Sequence, residues 1–151
     1  MLNINEYFLT NLVWCLSMTE FNLKEGLEGT RKYIVHEEHT AKFLGSGEVS
    51  VLSTPSMIAM MENTARLLVE GNLPEGYTTV GIHVDIRHLR AAPMGAEILV
   101  KAKLIEISGK KLKFAVEAFW GDKKIGEGIH ERYIVNKEDF LKKVKQALNS
   151  S

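Results

Sequence analysis

The spacing of apolar residues changes partway along this chain. Thr54 and Pro55 are followed by Met57, Ile58, Met60, Met61, Ala65, Leu67 and Leu68, and then by Gly71. This spacing predicts a helix, because threonine caps a helix start, proline suits its first position and glycine stops it. Between Pro55 and Met61 no residue is charged. Half of the helix is therefore apolar all round and is expected to be buried, as a helix enclosed by a sheet would be.

Beyond the helix the period becomes two. Thr78 to Leu89 sets Val80, Ile82, Val84 and Ile86 on one face, and Ala96 to Ile107 does the same with Ile98, Val100, Ala102 and Leu104. After Ser108-Gly109 come Leu112, Phe114, Val116 and Ala118, and after Gly121-Asp122 a last strand ending at Ile134-Val135. Four strands joined by short turns make an antiparallel sheet. Upstream, Arg31 to Val35 has strand composition, and Thr40 to Ser50, with its Gly45-Ser46-Gly47, reads as a loop. Lys137 to Leu148 reads as a charged amphipathic helix on the surface.

Residues 1–17 stand apart. Tyr7 to Leu16 carries no charge, yet no lysine or arginine precedes it and no small-residue cleavage site follows, which argues against a secretory signal. The run is also far shorter than the ~20 residues that cross a bilayer. Two readings stay open: a helix packed on the domain or on a partner subunit, or an upstream extension before a start at Met18. We assign residues 1–20 as an N-terminal extension and 21–151 as a single domain.

Composition narrows the partners. In 151 residues that are 45% hydrophobic, 19 lysines and arginines balance 19 aspartates and glutamates. One compact core is affordable at this size. No net field draws nucleic acid or an anionic membrane, and a small-molecule partner is expected instead. The single cysteine, Cys15, excludes an internal disulfide and a cysteine-rich metal site, which points to a reducing, cytoplasmic setting.

The order of elements and four short motifs carry a family resemblance. The motifs are Ser53-Thr54-Pro55-Ser56-Met57 with Met61-Glu62; Thr79-Val80-Gly81 with His88; Ala92-Pro93-Met94-Gly95; and Gly128-Ile129-His130-Glu131-Arg132. With these the chain resembles hotdog-fold thioesterases, most closely the fluoroacetyl-CoA thioesterase-like group, from about Val51 to the C-terminal helix. The resemblance implies an α+β hotdog fold, an antiparallel sheet wrapped around a long central helix. It implies a homodimer or homotetramer that hydrolyses an acyl-CoA thioester, with coenzyme A entering only as part of the substrate and no metal.

It also implies a reactive group of Thr54, Glu62 and His88. Two of these have support in the residues themselves. Glu62 is the first charge of the apolar helix, where a lone carboxylate is expected to have a raised pKa unless paired. His88 falls in phase with Val80 to Ile86 and so turns toward the helix, whereas His83 falls out of phase and is expected to be exposed. Thr54, or a water it positions, would be the nucleophile, His88 would move protons, and Glu62 would orient His88 or activate the water. Free backbone N–H groups near Ser56 and Met57 would bind the oxyanion. Gly81 would let the thioester carbonyl approach the backbone.

Eight residues of helix put Thr54 and Glu62 ~12 Å apart along the axis. Either they bracket the substrate, or the site combines residues of two protomers. The same residues also have plainer readings: Thr54 as a cap only, His88 and Glu62 as a structural pair, His130 as a structural or interface residue, Glu131 and Arg132 as a cross-strand surface pair. Lys101, Lys103, Lys110, Lys111 and Lys113 read as a solvated face.

Two departures from the group bear on substrate. Gly47 to Leu52 lacks the aromatic lid residues that precede the group's threonine, and Pro55 stands where a glycine is usual. A short or medium acyl chain against Met57, Met60 and Met61 is the resulting expectation. The alternatives in other classes are a module that binds an acyl-CoA thioester without cleaving it, and a hotdog enoyl-CoA hydratase.

Overall fold

The structure is a computed structural model that describes residues 21–150. The expected N-terminal extension, residues 1–20, and Cys15 lie outside the described residues. Strand β1 (Glu28–Ile34) is followed by a 3-10 turn and a one-turn helix α1 (Ala41–Leu44), then by helix α2 (Thr54–Glu70). Strands β2 (Tyr77–His88), β3 (Glu97–Ser108), β4 (Lys111–Trp120) and β5 (Lys123–Asn136) and helix α3 (Lys137–Asn149) complete the chain. The segment Thr40 to Ser50 is thus partly helical, since the Thr40 side chain accepts from the Phe43 N–H and caps α1.

All neighbouring strands are antiparallel, in the order β1-β3-β4-β5-β2. Helix α2 lies across the inner face of this sheet, the hotdog arrangement implied by the sequence. The alternation in β3 and β4 turns Ile98, Val100, Ala102, Leu104, Leu112, Phe114, Val116 and Ala118 inward, all buried against the helix. Each such apolar side chain removed from water contributes roughly 1.5–3 kcal/mol for a valine-, leucine- or phenylalanine-sized group. As expected, α3 lies exposed on the surface. No helix among the described residues is long and apolar enough to cross a membrane.

Two expectations fail, and both matter for the site. Helix α2 is not covered all round: Met57, Met60, Met61, Ala65 and Val69 are buried, whereas Thr54, Pro55 and Ala59 are exposed and Ile58 and Glu62 only half-buried. The sheet of one chain covers a single face of the helix. Strand β2 also does not keep one period, because its register against β5 shifts between Gly81 and His83. A bulge inserts one extra residue and reverses the faces on either side of it. Thr79 and Gly81 therefore share the inner face with Ile86 and His88, opposite Ile134, Arg132, Gly128 and Gly126. Val80 drops out of that set, and Ile82 is left 50% exposed on a strand that is also the free edge of the sheet.

Candidate functional site

The start of α2 is built differently from its sequence expectation. Ser53, not Thr54, is the N-cap: its side chain accepts from the Ser56 N–H at 3.1 Å. A residue further in, Thr54 opens the helix, and its hydroxyl is left free of capping. That hydroxyl lies 2.8 Å from Nδ1 of His88, at the last position of β2. The pair borders an open groove of about 320 Å³ lined by Val51, Leu52, Thr54 and residues 88–91.

His88 is half-buried, and burial lowers its pKa below the usual 6.5, only partly opposed by the backbone of Arg90. Its Nε2 is shielded from solvent with no well-formed hydrogen bond. A neutral ring carrying its proton on Nε2 leaves Nδ1 as the acceptor of the Thr54 hydroxyl. In chemical terms this is a hydroxyl with a base already at hydrogen-bond distance.

The expected oxyanion donors are not free. The Ser56 N–H is taken by the Ser53 side chain and the Met57 N–H by the Ser53 carbonyl at 3.0 Å. Met57, Met60 and Met61 are packed into the core, at most 4% exposed, so they present no surface to an acyl chain in this chain alone.

Glu62 belongs to a second cluster. Its Oε2 lies 3.7 Å from Nη1 of Arg132, and its side chain is 39% exposed, so it is neither isolated nor fully buried as expected. Gly81 sits beneath it: a Cβ there would come within 3.0 Å of Glu62 Oε2, 3.3 Å of His130 Cε1 and 3.6 Å of Arg132 Nη1. The missing side chain makes room for this carboxylate. Glu62, Arg132, Ala59, Asn63 and Arg66 line a separate open cavity of about 250 Å³.

Arg132 is not half of a surface pair with Glu131. It is 5% exposed, and its guanidinium donates to the Thr79 hydroxyl at 2.7 Å, the Thr79 carbonyl at 2.9 Å and His130 Nε2 at 3.0 Å. Burial lowers its pKa and the Glu62 carboxylate opposes that shift. Glu131, across the sheet, pairs with Lys111 and Lys113. His83 is exposed as expected, but its carbonyl holds His130 Nδ1 at 2.8 Å. Among the described residues no three His, Cys, Asp or Glu side chains are grouped to hold a metal ion.

A helix laid on a five-stranded antiparallel sheet, with a hydroxyl–imidazole pair where the helix begins, defines a hotdog-fold protein of the acyl-CoA thioesterase class. The model of the fluoroacetyl-CoA-specific thioesterase family matches residues 35–138, and the chain belongs to that family. The fluoroacetyl-CoA thioesterase of Streptantibioticus cattleyicolor is 32% identical over 96 residues, 64% of this chain and 69% of that protein. A solved structure of a fluoroacetyl-CoA thioesterase superposes with a TM-score of 0.78 at 28% identity, covering 82% of this chain and 96% of the other. A hypothetical protein of Thermus thermophilus, described as a thioesterase superfamily member, superposes at 0.76 with 29% identity over 85% of this chain and 97% of its own.

Proposed function

We propose that the protein is a homo-oligomeric acyl-CoA thioesterase in which Thr54 and His88 of one subunit act with Glu62 of another on a small or medium acyl chain. The observation that carries this reading is the 2.8 Å contact between Thr54 Oγ1 and His88 Nδ1 at the edge of an open groove. In the proposed first step, His88 Nδ1 takes the Thr54 hydroxyl proton as Oγ1 attacks the thioester carbonyl carbon. The same base can act on a water that Thr54 holds. The tetrahedral oxyanion then collapses with departure of the coenzyme A thiolate, which recovers the proton from His88; when Oγ1 is the nucleophile, His88 next takes a proton from a water that attacks the acyl–Thr54 ester, and the free acid leaves as that proton returns to Oγ1. The N-terminus of α2 stabilises negative charge next to Thr54 through the helix dipole.

Glu62 cannot serve its own Thr54 directly, eight residues of helix away at ~12 Å. Its open setting supports a role in a second subunit's site. The free edge of β2 supports the same arrangement. An edge strand carries a row of unpaired backbone groups that can pair with another chain, and β2, 12 residues long at one end of the strand order, leaves Ile82 50% and Val84 44% exposed. On α2, Ala59 is exposed and Ile58 only half-buried, so the helix too keeps an uncovered apolar side. Pairing two β2 edges about a two-fold axis would bury both and bring the half-sites together. A cytoplasmic enzyme with no cofactor beyond the coenzyme A of its substrate fits this reading.

The test is release of free thiol from a panel of acyl-CoA esters, acetyl to palmitoyl, read with a colorimetric thiol reagent. Release above background from the short and medium esters, lost in His88→Ala, is the expected result. Saturable binding of the esters with no release would overturn hydrolysis and leave a thioester-binding module. Hydration of an enoyl-CoA in its place would assign the hydratase.

A further inference from the structure

His130 takes no part in the steps above, yet it is 1% exposed and both of its ring nitrogens are committed. Nδ1 meets the His83 carbonyl at 2.8 Å, and Nε2 meets Nη1 of Arg132 at 3.0 Å. One face of the ring stacks on Phe114, with centroids 6.4 Å apart. An arginine N–H can only donate, and a backbone carbonyl can only accept. These two partners therefore require a neutral imidazole with its proton on Nδ1.

The position of that carbonyl gives the arrangement its meaning. His83 is where the β2 register resumes after the bulge, and Gly81, just before it, lies against Glu62. The other end of the same ring fixes Nη1, the guanidinium nitrogen nearest the Glu62 carboxylate at 3.7 Å. Thr79 holds the remaining guanidinium nitrogens through its hydroxyl and carbonyl. Arg132 thus has one orientation, set by Thr79 and His130 together, and the Nη1 that donates to His130 also faces Glu62.

We propose that His130 is a positioning residue, a neutral imidazole that ties the β2 bulge to Arg132 and so holds the Arg132 guanidinium where it orients the Glu62 carboxylate for thioester hydrolysis. This rests on the reading of Glu62 as part of the reactive group. Burial lowers the His130 pKa against the pull of the His83 carbonyl, and the Arg132 charge adds to the lowering while Glu62 opposes it, in keeping with a neutral ring.

Two variants and a spectroscopic measurement test the proposal. His130→Leu keeps an apolar body and removes the acceptor, whereas His130→Gln supplies a carbonyl for Arg132 and an amide N–H for the His83 carbonyl. The leucine variant is expected to lose about 100-fold in kcat, the scale of a reacting group displaced by about 1 Å, with KM nearly unchanged. His130→Gln should recover most of it. Glu62→Gln, measured alongside, separates the two failures. Full activity in Glu62→Gln overturns the role of Glu62 itself. Inactive Glu62→Gln with wild-type kcat in a folded His130→Leu overturns the positioning role alone. Should the leucine variant not fold, imidazole 15N correlation spectra of the unaltered protein decide. A single Nδ1–H tautomer at pH 7 supports the proposal, and an Nε2–H or doubly protonated ring overturns it.

Discussion

Thr54 and His88 meet across 34 residues of sequence because the first residue of α2 lies against the last residue of β2, with Oγ1 and Nδ1 2.8 Å apart. Ser53 makes this contact available. By taking the cap position, it leaves the neighbouring hydroxyl nothing to do for the helix. Both partners sit at the ends of rigid elements, which holds a hydroxyl–imidazole pair better than loops would.

Removing the proposed base should cost the rate and spare the fold. His88→Ala is expected to lower kcat/KM for the best acyl-CoA ester by about 10²- to 10⁴-fold, the range for general base catalysis. Circular dichroism and elution volume should match the parent protein, because His88 is only half-buried. A variant that keeps more than a tenth of the parent rate would remove His88 from the mechanism.

The cap and the nucleophile can be separated. Ser53→Ala takes away the acceptor of the Ser56 N–H and is expected to cost about 1 kcal/mol of stability, a few degrees in Tm, by differential scanning calorimetry. Thr54→Ala leaves that cap in place, so it should change Tm little while abolishing thiol release. The reverse pattern would return Thr54 to the role of a cap.

The acid limb of activity follows from His88. A general base must be unprotonated, and burial lowers its pKa below 6.5. We expect the acid limb of kcat/KM to have its midpoint below the usual histidine value, 6.5, in a pH titration of initial rates. A decline already complete by neutral pH would contradict the burial of this ring.

Stability should move in the same direction. His88 and His130 both have folded-state pKa values below the unfolded 6.5, so the unfolded chain binds protons more readily as the solution is acidified. Their contribution is fully present above pH 6.5 and is lost as pH falls from there toward the lowered values. Urea unfolding across this range should show that slope, and His130→Gln should make it shallower.

The sequence made the fold legible because β3 alternates from Ile98 to Leu104 and β4 from Leu112 to Ala118, each with its inward positions buried, and because Pro55 to Met61 is an uncharged helical run. The site was legible in part. Glu62 and His88 stand out as polar groups in apolar settings and Val84, Ile86 and His88 keep one phase, but a bulge leaves no mark in the pattern of Val80 and Ile82, which fall out of it. On β5, Ile129 and Tyr133 are apolar residues turned outward, and they hid the fact that His130 and Arg132 share the inner face with Ile134. Ser53 is hidden as the cap because Thr54, beside it, is also a favoured one. No feature of the sequence says that the Ser56 and Met57 N–H groups are already taken.

Gly128 measures how tightly β2 and β5 are drawn together under this cluster. A Cβ there would fall 2.8 Å from the Ile86 Cα and press on the Asp85 carbonyl. Both neighbours are backbone and cannot swing aside. Gly128→Ala is expected to cost about 1–3 kcal/mol, the usual penalty of overpacking, measured as a lower urea midpoint. An unchanged midpoint would mean that the two strands separate at no cost.

The sharing of one site between two subunits can be tested by pairing two dead proteins. If Thr54 and His88 of one subunit work with Glu62 of its partner, Thr54→Ala and Glu62→Gln are each inactive as homodimers. A mixed dimer then holds one site with both defects and one with neither. Random re-pairing after dissociation and reassembly makes half the dimers mixed, each with one whole site in two, so about a quarter of the parent activity should return. If the three residues act within a single chain, every site in the mixture carries one defect and no activity returns. Adding Val84→Lys to both variants, which sets like charges on the free edge of β2, should abolish the recovery by blocking re-pairing, with the loss of the dimer seen by light scattering.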